Sequence, residues 1–91
     1  MLYMLCRNRV ADYAKWREVF DEHADAHRAA GLVLRHVCRT VEDPNNVYFV
    51  FEVSDIAKAC AFISTPEAAA AGSASAVVDG EYHFAESAPT Y

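Results

Sequence analysis

Residues 32–53 have the sequence LVLRHVCRTVEDPNNVYFVFEV. Two apolar runs, 32–41 and 47–53, flank a polar segment in which Asp43 and Pro44 suit the first two positions of a type I turn. A link this short permits only antiparallel pairing, because a parallel crossover needs a dozen or more residues. The segment therefore predicts a β-hairpin in the middle of the chain.

The sequence on each side of the hairpin predicts one further strand and one helix. In the first helix, apolar residues recur every three or four positions from an Asp12 N-cap onward, and Gly31 suits the left-handed position that closes it. In the second helix, Ser54 is the predicted cap and Thr65-Pro66 a restart. The predicted elements are strands 2–9, 32–41, 47–53 and 77–86 and helices 12–30 and 54–71. Their order, βαββαβ, is that of an α+β ferredoxin-like fold, with a four-stranded antiparallel sheet and two helices on one face.

The length and hydrophobicity of the chain predict one domain, residues 1–91, that assembles with a second copy. A chain of 91 residues has little interior, yet 54% of its residues are hydrophobic. Neither hairpin strand has a plainly polar face, so the open face of the sheet is predicted to bury apolar area in a homodimer. A monomer with apolar groups left on its surface is the alternative.

Charge and the N-terminal sequence exclude several classes of partner. The net charge is −5, and the eight basic residues are scattered among thirteen acidic ones. Neither a nucleic acid nor an anionic membrane is therefore an expected partner. The apolar start of the chain is too short for a signal peptide or a membrane span, which predicts a cytoplasmic protein.

Three histidines are candidate catalytic residues. His23 and His27 lie four residues apart on one helix face, and strand alternation predicts that His36 points into the same layer as Leu34 and Cys38. Imidazole titrates near neutral pH and is suited to deprotonating a phenol or an enol, so His27, His36 and His23 are the predicted bases. A metal site and purely structural histidines are the alternatives. No HExxH motif is present, and we expect no metal.

Aromatic residues of the two helices are candidates for a substrate pocket between helices and sheet. Trp16 and Phe20 share the stripe of the first helix, and Phe62 lies in the second. The alternative is that they are core residues, which is the commoner use of buried aromatics. A cavity of a few hundred Å³ with two inward imidazoles would favour catalysis or ligand binding, whereas a filled core would favour an inert scaffold.

Several short runs resemble proteins of the dimeric α+β-barrel superfamily, in particular the small antibiotic-biosynthesis-monooxygenase-like proteins that often carry the label "cyclase". The resemblance extends from Tyr3 to Glu86. It implies that two subunits pack their sheets together as a dimeric α+β barrel. The runs that carry it are His23-x-x-x-His27-Arg28-x-Ala30-Gly31-Leu32, Val37-Cys38-Arg39, Glu42-Asp43-Pro44-Asn45-Asn46-Val47, Phe51-Glu52-Val53 and Ala59-x-Ala61-Phe62-Ile63-x-x-Pro66-Glu67.

The resemblance also implies a function. Members include cofactor-free monooxygenases that act on aromatic polyketides with an asparagine, a tryptophan and polar residues around an enclosed pocket, which adds Asn8 to Trp16, Phe20 and Phe62 as substrate-binding candidates. Haem-degrading members need a tryptophan near strand three and a histidine on the second helix. No tryptophan follows Trp16, and no histidine lies between His36 and His83, so we expect no haem and no other cofactor.

Two functions from different classes are therefore predicted. The first is a homodimeric protein with an enclosed pocket for a small aromatic or apolar molecule, acting as a cofactor-independent monooxygenase or cyclase-like enzyme. The second is a non-catalytic dimeric module, either ligand-binding or structural, in which the histidines are structural. The fold alone does not separate the two, because this architecture carries many functions.

Overall fold

The computed structural model describes residues 1–74 and 76–90, apart from the side chain of residue 67. Ser75 and Tyr91, which belong to the predicted 1–91 domain, lie outside the described residues. Among the helices of the described residues, none combines the length and the hydropathy that a membrane-spanning segment requires. The elements are β1 (Leu2–Val10), α1 (Tyr13–Glu22), α2 (Ala24–Ala29), β2 (Leu32–Arg39), β3 (Asn46–Val53), α3 (Ile56–Ile63), α4 (Pro66–Ala74) and β4 (Val77–Glu86).

The four strands form one antiparallel sheet in the order β2-β3-β1-β4, which confirms the predicted ferredoxin-like fold. One face of this sheet packs against the helices. Trp16 of α1 contacts Phe49 of β3, with ring centroids 5.4 Å apart, and Ala59 of α3 is fully buried in the same core. We call the opposite face of the sheet the open face.

Each predicted helix is divided into two helices, for local reasons. The first breaks at His23, whose backbone N–H donates to the carbonyl of Phe20 (3.1 Å) instead of to that of Val19. The imidazole Nδ1 of His23 donates a hydrogen bond to the Val19 carbonyl at 2.8 Å. This bond takes the place of the missing backbone hydrogen bond. The second helix restarts as predicted, with the Thr65 hydroxyl accepting from the N–H of Ala68 at 3.1 Å.

The N-cap of α3 is Asp55 and not Ser54, which corrects the prediction. The Asp55 carboxylate accepts hydrogen bonds from the N–H groups of Ala57 (2.8 Å) and Lys58 (3.3 Å). Ser54 instead donates its hydroxyl to the carbonyl of Gly31 (3.3 Å). Gly31 has the predicted positive φ, +76°, and a Cβ there would collide with the Ser54 hydroxyl. These contacts hold the end of α2 against the start of α3.

An extra residue in β2 reverses the alternation of its side chains. Leu34 pairs with Phe51, but the next pair along the ladder joins His36 to Val50, so Arg35 has no partner in the register. Beyond this bulge, Val37 packs against the core, and the Arg39 guanidinium lies 3.8 Å from the centroid of the Tyr13 ring. The second half of β2 therefore turns its odd-numbered residues toward the helices.

Candidate functional site

A cavity of about 300 Å³ lies between the sheet and the helices. Its wall is mainly apolar and aromatic, and its polar side chains include an asparagine and two histidines. Six of the seven predicted site residues line it, namely Asn8, Trp16, Phe20, His23, His27 and Phe62. The sequence-based grouping of these six residues therefore corresponds to one place in the structure.

His36 is the predicted site residue that lies elsewhere, so the expectation that it points into the helix layer is wrong. It is exposed on the open face beside Leu5 and Val50. The cause is the bulge at Arg35, which places two consecutive polar side chains on that face. Arg35 there donates to Glu52 at 2.7 Å, and this contact lowers the pKa of the Glu52 carboxyl.

His27 lies in an aromatic cage within the cavity. The centroid of its ring is 4.9 Å from that of Phe20, 5.1 Å from Phe51 and 5.6 Å from Phe62. Burial in this apolar setting lowers the pKa of His27 to about 4, and positive charge at His23 and Arg28 acts in the same direction. The imidazole is therefore uncharged at neutral pH. Among the described residues none is hydrogen-bonded to its ring, so neither nitrogen is engaged by another described side chain or by the backbone.

His23 presents a defined tautomer to the cavity. Its Nδ1 is 2.8 Å from the carbonyl oxygen of Val19, and a carbonyl only accepts, so the ring proton must be on Nδ1. The lone pair of the neutral ring is then on Nε2. The break between α1 and α2 therefore fixes both the position of this imidazole and its hydrogen-bonding character.

Asn8 connects the sheet to Trp16. With its amide oriented to satisfy both neighbours, the Asn8 oxygen accepts from Trp16 Nε1 at 3.1 Å and the nitrogen donates to the Arg7 carbonyl at 3.0 Å. Gly80 of β4 lies directly beneath, where a Cβ would come within 2.6 Å of the Asn8 amide and 3.1 Å of the Arg7 carbonyl oxygen. In the sequence, Asp79-Gly80 interrupts the last predicted strand and suggests a bulge or a bend. In the structure, Gly80 also leaves room for the side chain of Asn8.

Cys6 lies on the strand wall of the cavity. Burial raises the pKa of its thiol to about 12, so the sulfur stays protonated at neutral pH. A protonated buried thiol behaves as a small hydrophobe and not as a nucleophile. In the described part of the chain, no three His, Cys, Asp or Glu side chains are grouped as a metal site would require.

The α4 side of the cavity was missed by the sequence interpretation. Phe62 was the one site candidate chosen from the second predicted helix, but the cavity is also lined by Ala68, Ala69, Ala71 and Gly72. This helix was also expected to end at Ala71, whereas α4 continues to Ala74. The signal that could have identified this wall is the glycine inside a run with strong helix propensity.

Comparison with known proteins identifies the fold. No family model and no curated protein matches the chain. Among solved structures, a mutant of SnoaB, a cofactor-independent oxygenase from Streptomyces nogalater, has a TM-score of 0.77 at 17% identity, with 98% of this chain and 94% of that chain covered. An antibiotic biosynthesis monooxygenase has a TM-score of 0.71 at 19% identity, with 98% and 100% covered.

The same fold also occurs in a protein with a different description. An uncharacterized NIPSNAP domain protein from Burkholderia xenovorans has a TM-score of 0.70 at 15% identity, with 97% of this chain and 95% of that chain covered. The chain therefore has the fold of the antibiotic biosynthesis monooxygenases, as the sequence resemblance implied. At these identities the likeness establishes the fold alone.

Proposed function

We propose that this chain is a cofactor-independent oxygenase that acts on a compact, electron-rich aromatic substrate bound between the sheet and the helices. The observation that carries the proposal is the neutral imidazole of His27 inside an apolar cavity of about 300 Å³. Aromatic walls suit a flat aromatic ligand, and a few polar groups among them suit its oxygen atoms. The fold shared with SnoaB, itself described as a cofactor-independent oxygenase, supports the same class of reaction.

The reaction balances without an external reductant. A ring CH₂ activated by a neighbouring aryl ketone is converted to C=O by O₂, with one oxygen atom entering the product and the other leaving as water. The substrate itself supplies the electrons once it has lost a proton and become an enolate. The protein must therefore accept that proton, orient the ring and keep bulk water out of the cavity.

We assign the proton-accepting role to His27. Its lone pair is available at every pH above about 4, because burial disfavours the charged ring. An enolate formed beside the ring would stabilise the imidazolium by charge attraction, so proton transfer yields an ion pair inside the cavity. The hydrogen bond between Asn8 and Trp16 holds the indole as a rigid wall for the ring of the substrate.

Oxygen uptake with anthrone as the probe, in the absence of added metal or flavin, tests this proposal. We expect protein-dependent oxygen consumption with anthraquinone as the product. His27→Leu should lower turnover about 10²- to 10⁴-fold, the usual effect of removing a general base. The matched control is His36→Leu, which removes an imidazole from the open face and should leave turnover close to that of the wild type. Equal rates for His27→Leu and the wild type would exclude His27 from the mechanism.

We further propose that the protein works as a homodimer through the open face. Leu5, Val33 and Tyr48 are on this face, and each is more than 40% exposed in the single chain. Between them lie the charges of Arg35 and Glu52, which are already paired with each other. A face that combines exposed apolar groups with internally paired charges is suited to pack against a second copy of itself.

A further inference from the structure

Gly72 stands at a position where the fold has no evident need for glycine. It lies inside α4, and its φ is not positive, so alanine would adopt the same backbone conformation. A Cβ built on Gly72 meets no heavy atom of the described residues within 4 Å, beyond its chain neighbours and its own helix backbone. Neither a strained backbone nor close packing therefore explains the missing side chain.

Glycine at such a position also weakens the helix. It loses more conformational freedom on folding than alanine does, and α4 is otherwise rich in alanine. Ala68 and Ala69 precede Gly72 by four and three residues, so the three share one helix face, and all three line the cavity. Gly72 is therefore part of the cavity wall.

We propose that Gly72 is a specificity-determining residue that sets the upper size of the ligand. With no side chain there, the cavity accepts larger fused aromatic systems, whereas any larger residue restricts it to smaller ones. This inference rests on the proposed function for the location of the ligand, and it adds the size class of the substrate. The site is the cavity already described, and Gly72 forms the part of its wall where one substitution changes the available space directly.

Binding of a two-ring and a three-ring probe separates this role from a structural one. We would titrate 2-naphthol and anthrone into the wild type, Gly72→Ala and Gly72→Leu. Trp16, the single tryptophan of the chain, lines the cavity, and its fluorescence reports binding, with calorimetry as a second measurement. The matched control is Ala70→Leu, which adds a side chain of the same size to an exposed position of α4 that does not line the cavity.

We expect Gly72→Ala to weaken anthrone binding about tenfold, the usual effect of one carbon atom in an apolar pocket, and to change 2-naphthol binding little. Gly72→Leu should abolish anthrone binding and retain 2-naphthol. Gly72→Ala should also melt at or above the temperature of the wild type, because alanine favours the helix. A loss of affinity together with an unchanged or higher Tm cannot come from unfolding. Ala70→Leu should bind both probes like the wild type.

Three results would overturn the inference: wild-type anthrone affinity in Gly72→Leu, equal loss of both probes in a folded Gly72→Leu, or no binding of either probe to the wild type. Oxygen uptake is measured separately, so the two proposals can fail independently. Size-selective binding without oxygen uptake would reject the oxygenase and keep the role of Gly72. Oxygen uptake by the wild type, together with unchanged size selectivity in Gly72→Leu, would keep the oxygenase and reject the role of Gly72.

Discussion

At the scale of single residues, His27 illustrates how surroundings decide chemistry. The sequence places it on the apolar stripe of the first helix, and this was enough to select it as a candidate base. The three aromatic rings that surround it come from α1, β3 and α3, and those of Phe51 and Phe62 are distant from it in the sequence. Its depressed pKa depends on this three-sided enclosure, so the sequence could indicate the residue but not its protonation state.

The depressed pKa predicts a pH dependence of stability. His27 has a folded-state pKa of about 4, below the ordinary 6.5, so between these values the unfolded chain binds more protons than the folded one. The free energy of unfolding should therefore rise with pH over this window, by about 2 kcal/mol, a value reduced from the full shift because the ring is only partly buried. Urea denaturation of the wild type and His27→Leu between pH 4 and 7 measures this contribution as a difference in slope.

The control for this measurement is His36→Leu. His36 is exposed on the open face and does not line the cavity, and its replacement should leave the slope between pH 4 and 6.5 unchanged. Identical slopes for the wild type and His27→Leu would show that burial of His27 does not contribute. The carboxylates that also titrate in this range are common to all three proteins and cancel in the comparison.

At the scale of elements, the junction between α4 and β4 contains a strained residue. Ala76 has a φ of +58°, a left-handed conformation that costs a residue with a Cβ about 1–2 kcal/mol. Its N–H donates to the carbonyl of Ser73 (3.2 Å), and its carbonyl accepts from Ala11 (3.0 Å), so the chain is held in this conformation. Ala76→Gly should therefore raise the free energy of unfolding by about 0.5–1 kcal/mol.

Chemical denaturation measures this change, with Ala74→Gly as the control. Ala74 is an exposed residue at the end of α4 without a positive φ, and glycine there should destabilise the protein. If Ala76→Gly raises the free energy of unfolding and Ala74→Gly lowers it, the difference must come from the backbone conformation at the two positions. Destabilisation by Ala76→Gly would contradict the proposed strain.

The element boundaries show what periodicity can and cannot predict. The last strand was predicted at its observed bounds, because apolar residues on both sides of the Asp79-Gly80 interruption still indicate one strand. The break at His23 was not predicted, since it depends on a side-chain hydrogen bond. The His23 imidazole bonds the Val19 carbonyl in place of the backbone N–H. The bulge at Arg35 was missed for a similar reason. A bulge has no distinctive residue pattern in this strand, yet it moves His36 to the other face of the sheet.

At the scale of the whole molecule, the open face leads to a prediction about assembly. Leu5 is central on this face and 43% exposed, and Leu5→Glu should leave a single subunit folded. In a dimer it would bury an unpaired charge, which typically costs about 3–5 kcal/mol and would shift association by 100-fold or more. Sedimentation velocity at micromolar concentration should therefore show a dimer for the wild type and a monomer for Leu5→Glu.

Val41→Glu is the matched control for this experiment. Val41 is 94% exposed in the segment between β2 and β3, away from the open face, so its variant should sediment as the wild type does. A wild type that sediments as a single 10 kDa species at these concentrations would rule out the homodimer. The cavity proposal would be unaffected, because its wall is formed by one chain.

The cavity itself could be predicted only in part. Its aromatic and histidine members follow from the stripe of the first helix, because one helix face must meet the sheet. Its volume does not follow, since it depends on how far α4 lies from β1 and β3. An alanine-rich helix can either pack directly on the sheet or stand away from it, so the sequence does not fix this distance. The sequence therefore predicted six of the residues that share the site, with His36 as the exception, but not how much space remains between them.

The extra residue in β2 also bears on how copies of this chain can meet. β2 is an outer strand of the sheet, and its free edge would otherwise offer a regular row of N–H and C=O groups to another strand. The irregularity at Arg35 interrupts this row and makes the edge a poor template for edge-to-edge pairing with another strand. We therefore expect the inserted residue that removes His36 from the cavity also to disfavour association through this edge.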